Sequence, residues 1–188
     1  MTQNSPPSSW KLNDYGLLAA TFVPAAMFTW GIHELAHWGM GIGLGYEMWV
    51  TFNQAGPTEG GYDSDAHRMA VSMAGPVITW IQAGAAFWLL RRYLKLWIYP
   101  FLFLTFWTRA LAMGVSLIAN PNDEARVSLL LGLPLWALPL VSVIPLLALT
   151  YLGSKTLKVG WKGNLVAYFA ASLVTMAIVF SDQILFFG

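Results

Sequence analysis

Long runs of apolar residues alternate with short polar segments along this chain. A helix needs about 20 apolar residues to cross the hydrocarbon core of a bilayer. By this criterion the pattern predicts five transmembrane helices, at residues 15–45, 67–90, 96–119, 127–152 and 165–187. We therefore expect an all-α polytopic membrane protein, with a polar N-terminal tail at residues 1–14 and a single transmembrane domain at residues 15–188.

The longest connection lies between the first two predicted helices, at residues 47–66. Its Met48–Phe52 part alternates and is rich in aromatic and β-branched residues, which is typical of a strand. The segment "QAGPTEGG" that follows is typical of turns. We expect either a short β-hairpin or an irregular loop at this position.

Composition agrees with a membrane environment. Of the 188 residues, 57% are hydrophobic and only 10% are charged, and the mean hydropathy is +0.57. Soluble domains carry about 25% charged residues, so the expected surroundings are a lipid bilayer. A net charge of +1 offers no basis for nucleic-acid binding. Cysteine is absent, so any metal site must use His, Asp or Glu.

Lysine and arginine are unequally divided between the two ends of the predicted helices. One end carries seven basic residues and the other carries two. The excess of Lys and Arg in short loops marks the cytoplasmic side, which predicts a cytoplasmic N-terminus. The seven are Lys11, Arg91, Arg92, Lys95, Lys155, Lys158 and Lys162; the two are Arg68 and Arg126.

The first apolar run contains the motif H-E-x-x-H, formed by His33, Glu34 and His37. Residues four apart lie on one face of a helix, so the two imidazoles can bind one Zn²⁺. Glu34 can then act as general base toward a metal-activated water. The alternative is a polar cluster that hydrogen-bonds to neighbouring helices. Ionisable groups at this depth are costly and usually functional, which favours the metal site.

Catalytic zinc commonly has three protein ligands, so a third is required beyond the two histidines. The candidates are His67, Asp63, Asp65, Asp123 and Glu124. Pro121 interrupts the helical pattern just before Asp123, which could place a carboxylate at the start of the next helix. In the alternative interpretation, Asp123 and Glu124 simply cap that helix in water.

Arg109 lies near the middle of the third apolar run. An arginine at this depth needs a partner or a water-filled cavity. It could form a structural ion pair with Glu34 or Asp123, or it could support a developing oxyanion. We favour the ion pair.

Three segments together resemble the site-2 protease family of intramembrane zinc metalloproteases. "HELAH" resembles the family's catalytic helix, "MAGPVITW" its Gly-Pro motif, and "NPND" its Asn-Pro-Asp motif, although Asn-Asp-Glu stands where the family has Leu-Asp-Gly. The resemblance covers about residues 29–134. It implies one Zn²⁺ held by His33, His37 and Asp123.

The resemblance also implies an activity and a substrate. The activity is that of an intramembrane endopeptidase, and the substrate is a transmembrane protein. Asn120 and Asn122 would contact it, and a strand at Met48, Trp49 and Val50 would pair with it. The family places that strand in the cytoplasm, whereas the charge count places it outside; we follow the charge count. The alternative function is an inactive or metal-handling membrane protein that keeps the H-E-x-x-H site.

Overall fold

The computed structural model describes residues 10–186, so only residues 10–14 of the predicted N-terminal tail are covered. Within this range the chain forms six α-helices and a two-stranded sheet between the first two helices. Five of the helices are long and apolar enough to cross a membrane. The predicted fold class, a polytopic helical membrane protein, is confirmed. The helices are α1 Leu12–Gly43, α2 Asp65–Tyr93, α3 Tyr99–Ile118, α4 Asp123–Leu130, α5 Ala137–Leu157 and α6 Gly160–Phe186.

Helix α1 has a defined beginning and end. The carboxylate of Asp14 accepts a hydrogen bond from the Lys11 backbone N–H at 2.7 Å, which satisfies a donor that the first helical turn leaves free. The helix ends at Gly43, and Gly45 then adopts a φ of +91°, a conformation that glycine reaches without steric cost. The chain can therefore turn directly from α1 into the first strand.

The segment after α1 is a β-hairpin, one of the two predicted alternatives. Strand β1, Met48–Val50, pairs antiparallel with strand β2, Ala55–Pro57, so that Val50 lies opposite Ala55. The backbone N–H of Thr51 donates to the Gln54 carbonyl at 2.8 Å, next to that pair. Hydrogen-bonded and non-hydrogen-bonded pairs alternate in an antiparallel ladder. The backbone N–H and C=O of Val50 and Ala55 therefore point to the outer edges of the hairpin.

The fourth membrane-spanning helix differs from the predicted span at residues 127–152. Residues 123–130 instead form the short helix α4, and α5 begins only at Ala137. Gly132 has a φ of +71° and Pro134 follows, so the helix cannot continue through this segment. Hydropathy missed the break because the residues on both sides of it are apolar.

The connection between the last two helices is also shorter than predicted. Helix α5 extends to Leu157 and α6 begins at Gly160, so two residues connect them. Most of the polar segment "GSKTLKVGWKGN" is therefore helical. Its lysines lie at helix ends, where their charges can reach the interface.

The interior of the bundle is apolar at one end and polar at the other. The apolar core packs around α1 near its N-terminus and contains Leu18, Phe22, Leu90, Tyr99 and Leu102, all fully buried. Buried polar residues lie toward the opposite end, where α1, α2 and α3 meet α4 and the hairpin: His33, Glu34, His37, Thr79, Arg109 and Glu124. The fold thus places these buried charged and histidine side chains in one half of the molecule.

Candidate metal centre

Three side chains converge where α1 meets α4. The Nε2 atoms of His33 and His37 lie 3.1 Å apart. The Oδ2 atom of Asp123 lies 3.2 Å from His33 Nε2 and 3.5 Å from His37 Nε2. One ligand atom from each of the three residues lies within 4.8 Å of the others, the spacing expected of a group that could hold a metal ion.

The hydrogen-bond partners of the imidazoles assign their tautomers. His37 Nδ1 lies 2.6 Å from the carbonyl oxygen of Val71, which only accepts, so Nδ1 carries the proton. His33 Nδ1 lies 3.1 Å from the hydroxyl of Thr79, which donates its own hydrogen to the Gly75 carbonyl at 3.0 Å. His33 Nδ1 is therefore also the donor. Both Nε2 atoms present lone pairs toward the Asp123 carboxylate, as neutral imidazole ligands do.

A glycine on α2 makes the space for this arrangement. A Cβ at Gly75 would collide with the imidazoles of both His33 and His37. The missing side chain leaves the two Nε2 atoms open on the side of α2. The glycine of the sequence motif "MAGPVITW" thus belongs to the geometry of the centre.

Glu34 and the three converging residues line a cavity of about 540 Å³. The carboxylate of Glu34 is buried, and it forms no hydrogen bond or ion pair with the residues that the structure describes.

The depth of the centre follows from its position along the helices. His37 lies six residues before the end of α1, and Val71 lies six residues after the start of α2. At about 1.5 Å per residue, the centre lies about 9 Å from the face that carries the hairpin.

A second cavity, of about 530 Å³, adjoins the first on the side of the hairpin face. Tyr62 and Arg126 line both cavities. Burial raises the pKa of the Tyr62 hydroxyl above its ordinary value, so this hydroxyl stays protonated near neutral pH. The polar side chains of Tyr62 and Arg126 thus lie where the two cavities adjoin.

Arg109 of α3 reaches the same centre. Its Nη1 atom donates to Asp123 Oδ2 at 3.1 Å and to Glu124 Oε2 at 3.2 Å, while its Nη2 atom lies 3.3 Å from His33 Nε2. Arg109 is 7% exposed and Glu124 is 4% exposed. Asp123 and Glu124 therefore do not cap α4 in water; both carboxylates turn inward to the guanidinium.

The side chains at the centre are of types that bind divalent cations. Two imidazoles and a carboxylate are ligands that Zn²⁺ commonly takes. Asp123 and Glu124 both pair with Arg109, so the guanidinium offsets part of the negative charge beside the three converging groups.

The other predicted ligands lie elsewhere. His67 Nδ1 accepts a hydrogen bond from the Tyr46 hydroxyl at 2.7 Å, outside the three-residue group. Asp63 and Asp65 are exposed and do not line the cavity. Among the described residues, the group that could hold a metal contains Asp123 and not the alternative ligand His67.

The two predicted asparagines have different surroundings. Both Asn120 and Asn122 line the cavity. The side-chain amide of Asn122 donates to the Ala112 carbonyl at 3.0 Å, and its backbone N–H donates to the Ser116 hydroxyl at 2.9 Å. Asn122 therefore holds the segment before α4 against α3, whereas the exposed Asn120 is free to contact another molecule.

Strand β1, which is expected to pair with the substrate, is not part of the cavity lining. Met48, Trp49 and Val50 of β1 do not line the cavity, whereas Ala55 of β2 does, together with Asn53 and Gln54 of the turn. Met48 packs instead against Gly41 of α1. The alternating pattern of β1 identified a strand but did not show which edge of the hairpin would face the centre.

Asp182, which no motif in the sequence marks as functional, anchors the hairpin. Its carboxylate, on α6, accepts hydrogen bonds from the Thr51 hydroxyl at 3.1 Å and from the Phe52 backbone N–H at 3.0 Å. Asp182 is only 1% exposed. A carboxylate within an apolar run was the available signal, because such a residue seldom lacks a partner.

The wall of the cavity also includes Thr175 and Val179 of α6, so the hairpin turn and α6 together enclose it on one side.

No protein-family model, curated protein or solved structure matches this chain. The geometry of the centre therefore provides the evidence about its chemistry.

Proposed function

We propose that the protein is an intramembrane zinc metalloendopeptidase, with one Zn²⁺ held by His33, His37 and Asp123. The observation that carries this proposal is the convergence of two imidazole lone pairs and a carboxylate oxygen at one point. Arg109 reaches two of these three acceptors, and a metal ion bound by all three would offset their mutual repulsion directly. The H-E-x-x-H spacing and the resemblance to the site-2 protease family support the same assignment.

Bound zinc would supply a Lewis acid that polarises a carbonyl and activates water. Glu34 follows His33 on α1, and its carboxylate lies in the cavity without a hydrogen-bond partner among the described residues. A carboxylate so placed can take a proton from water and deliver it to the leaving amine. The hydroxyl of Thr79 and the carbonyl of Val71 fix the imidazole orientations.

The proposed substrate is a membrane-spanning protein whose backbone pairs with the outer edge of β2. The backbone N–H and C=O of Ala55 point away from β1 and lie at the cavity. An extended peptide can add to such an edge as a further strand. Asn120, at the cavity, can bind a substrate carbonyl through its side-chain amide.

We further propose that the N-terminus is cytoplasmic and that the hairpin face lies outside. This orientation rests on the seven basic residues near the start of α1 and at the α2–α3 and α5–α6 connections. A cysteine placed near residue 60 of this cysteine-free chain should then react with an impermeant maleimide added to intact cells. Labelling only after permeabilisation would reverse the orientation.

Zinc content of the purified protein tests the metal site. We expect about one zinc per chain in the wild type and strong loss in His33→Ala, His37→Ala and Asp123→Asn. His67→Ala is the matched control, because it removes the third histidine of the chain from a position outside the group. Equal zinc in the His33 and His67 variants would overturn the assignment.

Glu34→Gln separates the enzyme from a metal-binding protein without proteolysis. We expect this variant to keep its zinc. We also expect it to lose cleavage of single-span reporter proteins that are reconstituted with it in the same lipid vesicles. Glu59→Gln, in the exposed loop, is the control and should cleave normally. Zinc binding by the wild type without any cleavage of the reporters would favour the metal-handling alternative.

A further inference from the structure

One nitrogen of Arg109 joins the proposed metal ligand to a second buried carboxylate. Nη1 donates to Asp123 Oδ2 and to Glu124 Oε2, at 3.1 and 3.2 Å. Asp123 Oδ2 is also the atom that faces both imidazoles. The guanidinium therefore acts on the same oxygen that would bind the metal.

We propose that Arg109 and Glu124 form a positioning pair that sets the metal affinity by holding Asp123 against the two imidazoles. This inference rests on the proposed metal site. Arg109 belongs to the 20-residue helix α3, whereas Asp123 is the first residue of the eight-residue helix α4. The pair thus ties a ligand on a short, separate helix to one of the long helices of the bundle.

Glu124 has a distinct part in this arrangement. Its Oε2 accepts from Arg109, and its Oε1 has no partner among the residues that the structure describes. Arg109 Nη2 lies 3.3 Å from His33 Nε2, so the guanidinium charge is close to where a dication would bind. Two positive charges at this distance repel each other. The negative charge of Glu124 offsets the guanidinium and leaves Asp123 to face the metal.

This division of roles predicts a specific pattern of metal affinities. Arg109→Gln removes the group that holds Asp123, while Glu124→Gln leaves a buried cation uncompensated beside the metal. Replacing the hydrogen-bond partner of a metal ligand typically weakens metal binding by about 10- to 100-fold. We expect losses in that range for each of the two single variants. The double variant restores the charge balance and should bind zinc more tightly than Glu124→Gln alone.

The experiment is chelator competition for zinc on the purified full chain, followed by absorption spectra of the Co²⁺ form. Wild type, the two single variants, the double variant and Arg109→Lys are compared. Lysine keeps the charge and can donate to both carboxylates through one nitrogen, so it should recover part of the affinity lost in Arg109→Gln. A displaced Asp123 should also alter the visible Co²⁺ bands of Arg109→Gln.

Arg126→Gln is the matched control. Arg126 also lines the cavity, but it donates to the neutral oxygens of Ser72 and Pro121. Unchanged zinc affinity and Co²⁺ spectra in Arg109→Gln would overturn the positioning pair, and lowered cleavage with unchanged metal affinity would assign Arg109 to the substrate instead. Absence of zinc binding in the wild type would overturn both the proposed function and the pair.

Discussion

Gly75 of α2 lies against the imidazole of His33, so close that a Cβ at position 75 would come within 2.6 Å of His33 Nε2. The helix backbone of α2 therefore forms one wall of the candidate metal centre. Any side chain at this position would displace the imidazole or occupy the space beside its lone pair. The contact makes position 75 a sensitive test of the site.

Gly75→Ala should reduce zinc affinity by at least about tenfold, the scale of effect seen when ligand orientation is disturbed. Helix propensity alone favours alanine by about 1 kcal/mol, so α2 itself should not be weakened. Gly84→Ala on the same helix is the control, because a Cβ there would meet nothing within 4 Å. Equal zinc affinities in the two variants would contradict the geometry described for the centre.

Thr79→Val should also weaken zinc binding, by about 10- to 100-fold. The change removes the oxygen that accepts from His33 Nδ1 and leaves the imidazole free to rotate or change tautomer. Chelator competition measures the loss. Thr105→Val is the comparison, because the buried Thr105 hydroxyl donates to the Leu102 carbonyl within α3. The zinc affinity of this variant should match that of the wild type.

Ala55→Pro should lower cleavage of membrane-spanning reporters without changing zinc content. Proline removes the outward N–H of β2, which an added substrate strand would use, but this N–H is not needed for pairing with β1. Val50→Pro removes the equivalent N–H on the other edge of the hairpin and should have little effect on cleavage. Similar rates for the two variants would argue against strand addition at β2.

Asp182→Ala should loosen the hairpin turn. The Phe52 N–H would lose its acceptor, and the Thr51 hydroxyl would keep only the Gln54 carbonyl at 3.3 Å. A hydrogen bond to a charged group contributes about 1.5–3 kcal/mol. Faster amide hydrogen exchange over residues 51–55 is the expected result. Ser181→Ala changes an exposed neighbour on the same helix and should leave the exchange rates unaltered.

The long helices could be predicted from the sequence because lipid requires long continuous apolar segments. His33, Glu34 and His37 could be assigned to one face of a helix because their spacing is local. Asp123 was only one of several candidates, since its approach to the histidines depends on the packing of α4 against α2, α3 and α5. Hydropathy could not separate α4 from α5, because the residues around the break are apolar: Leu130, Leu131 and Leu133.

Other features depend on contacts between segments far apart in the chain. The role of Gly75 follows from the close approach of α2 to α1. A Gly-Pro pair in the sequence does not indicate which helix lies against it. The segment Ala55–Pro57 has little intrinsic tendency to form a strand, yet it is the strand at the cavity. The partners of Asp182 lie about 130 residues earlier in the chain, so no local pattern could reveal them.

The tie between Asp182 and the hairpin has a consequence for biosynthesis. Asp182 is made 131 residues after Thr51, which at ribosomal speeds of about 5–20 residues per second is a delay of roughly 7–26 s. In the last part of this interval, after Asp123 has been made, the residues of the candidate metal centre are all present, but the wall formed by α6 and the anchored turn is not. Enclosure of the centre is therefore a late step of assembly. A nascent chain arrested before α6 would leave the ionisable groups of the centre exposed on the side that α6 covers in the complete protein.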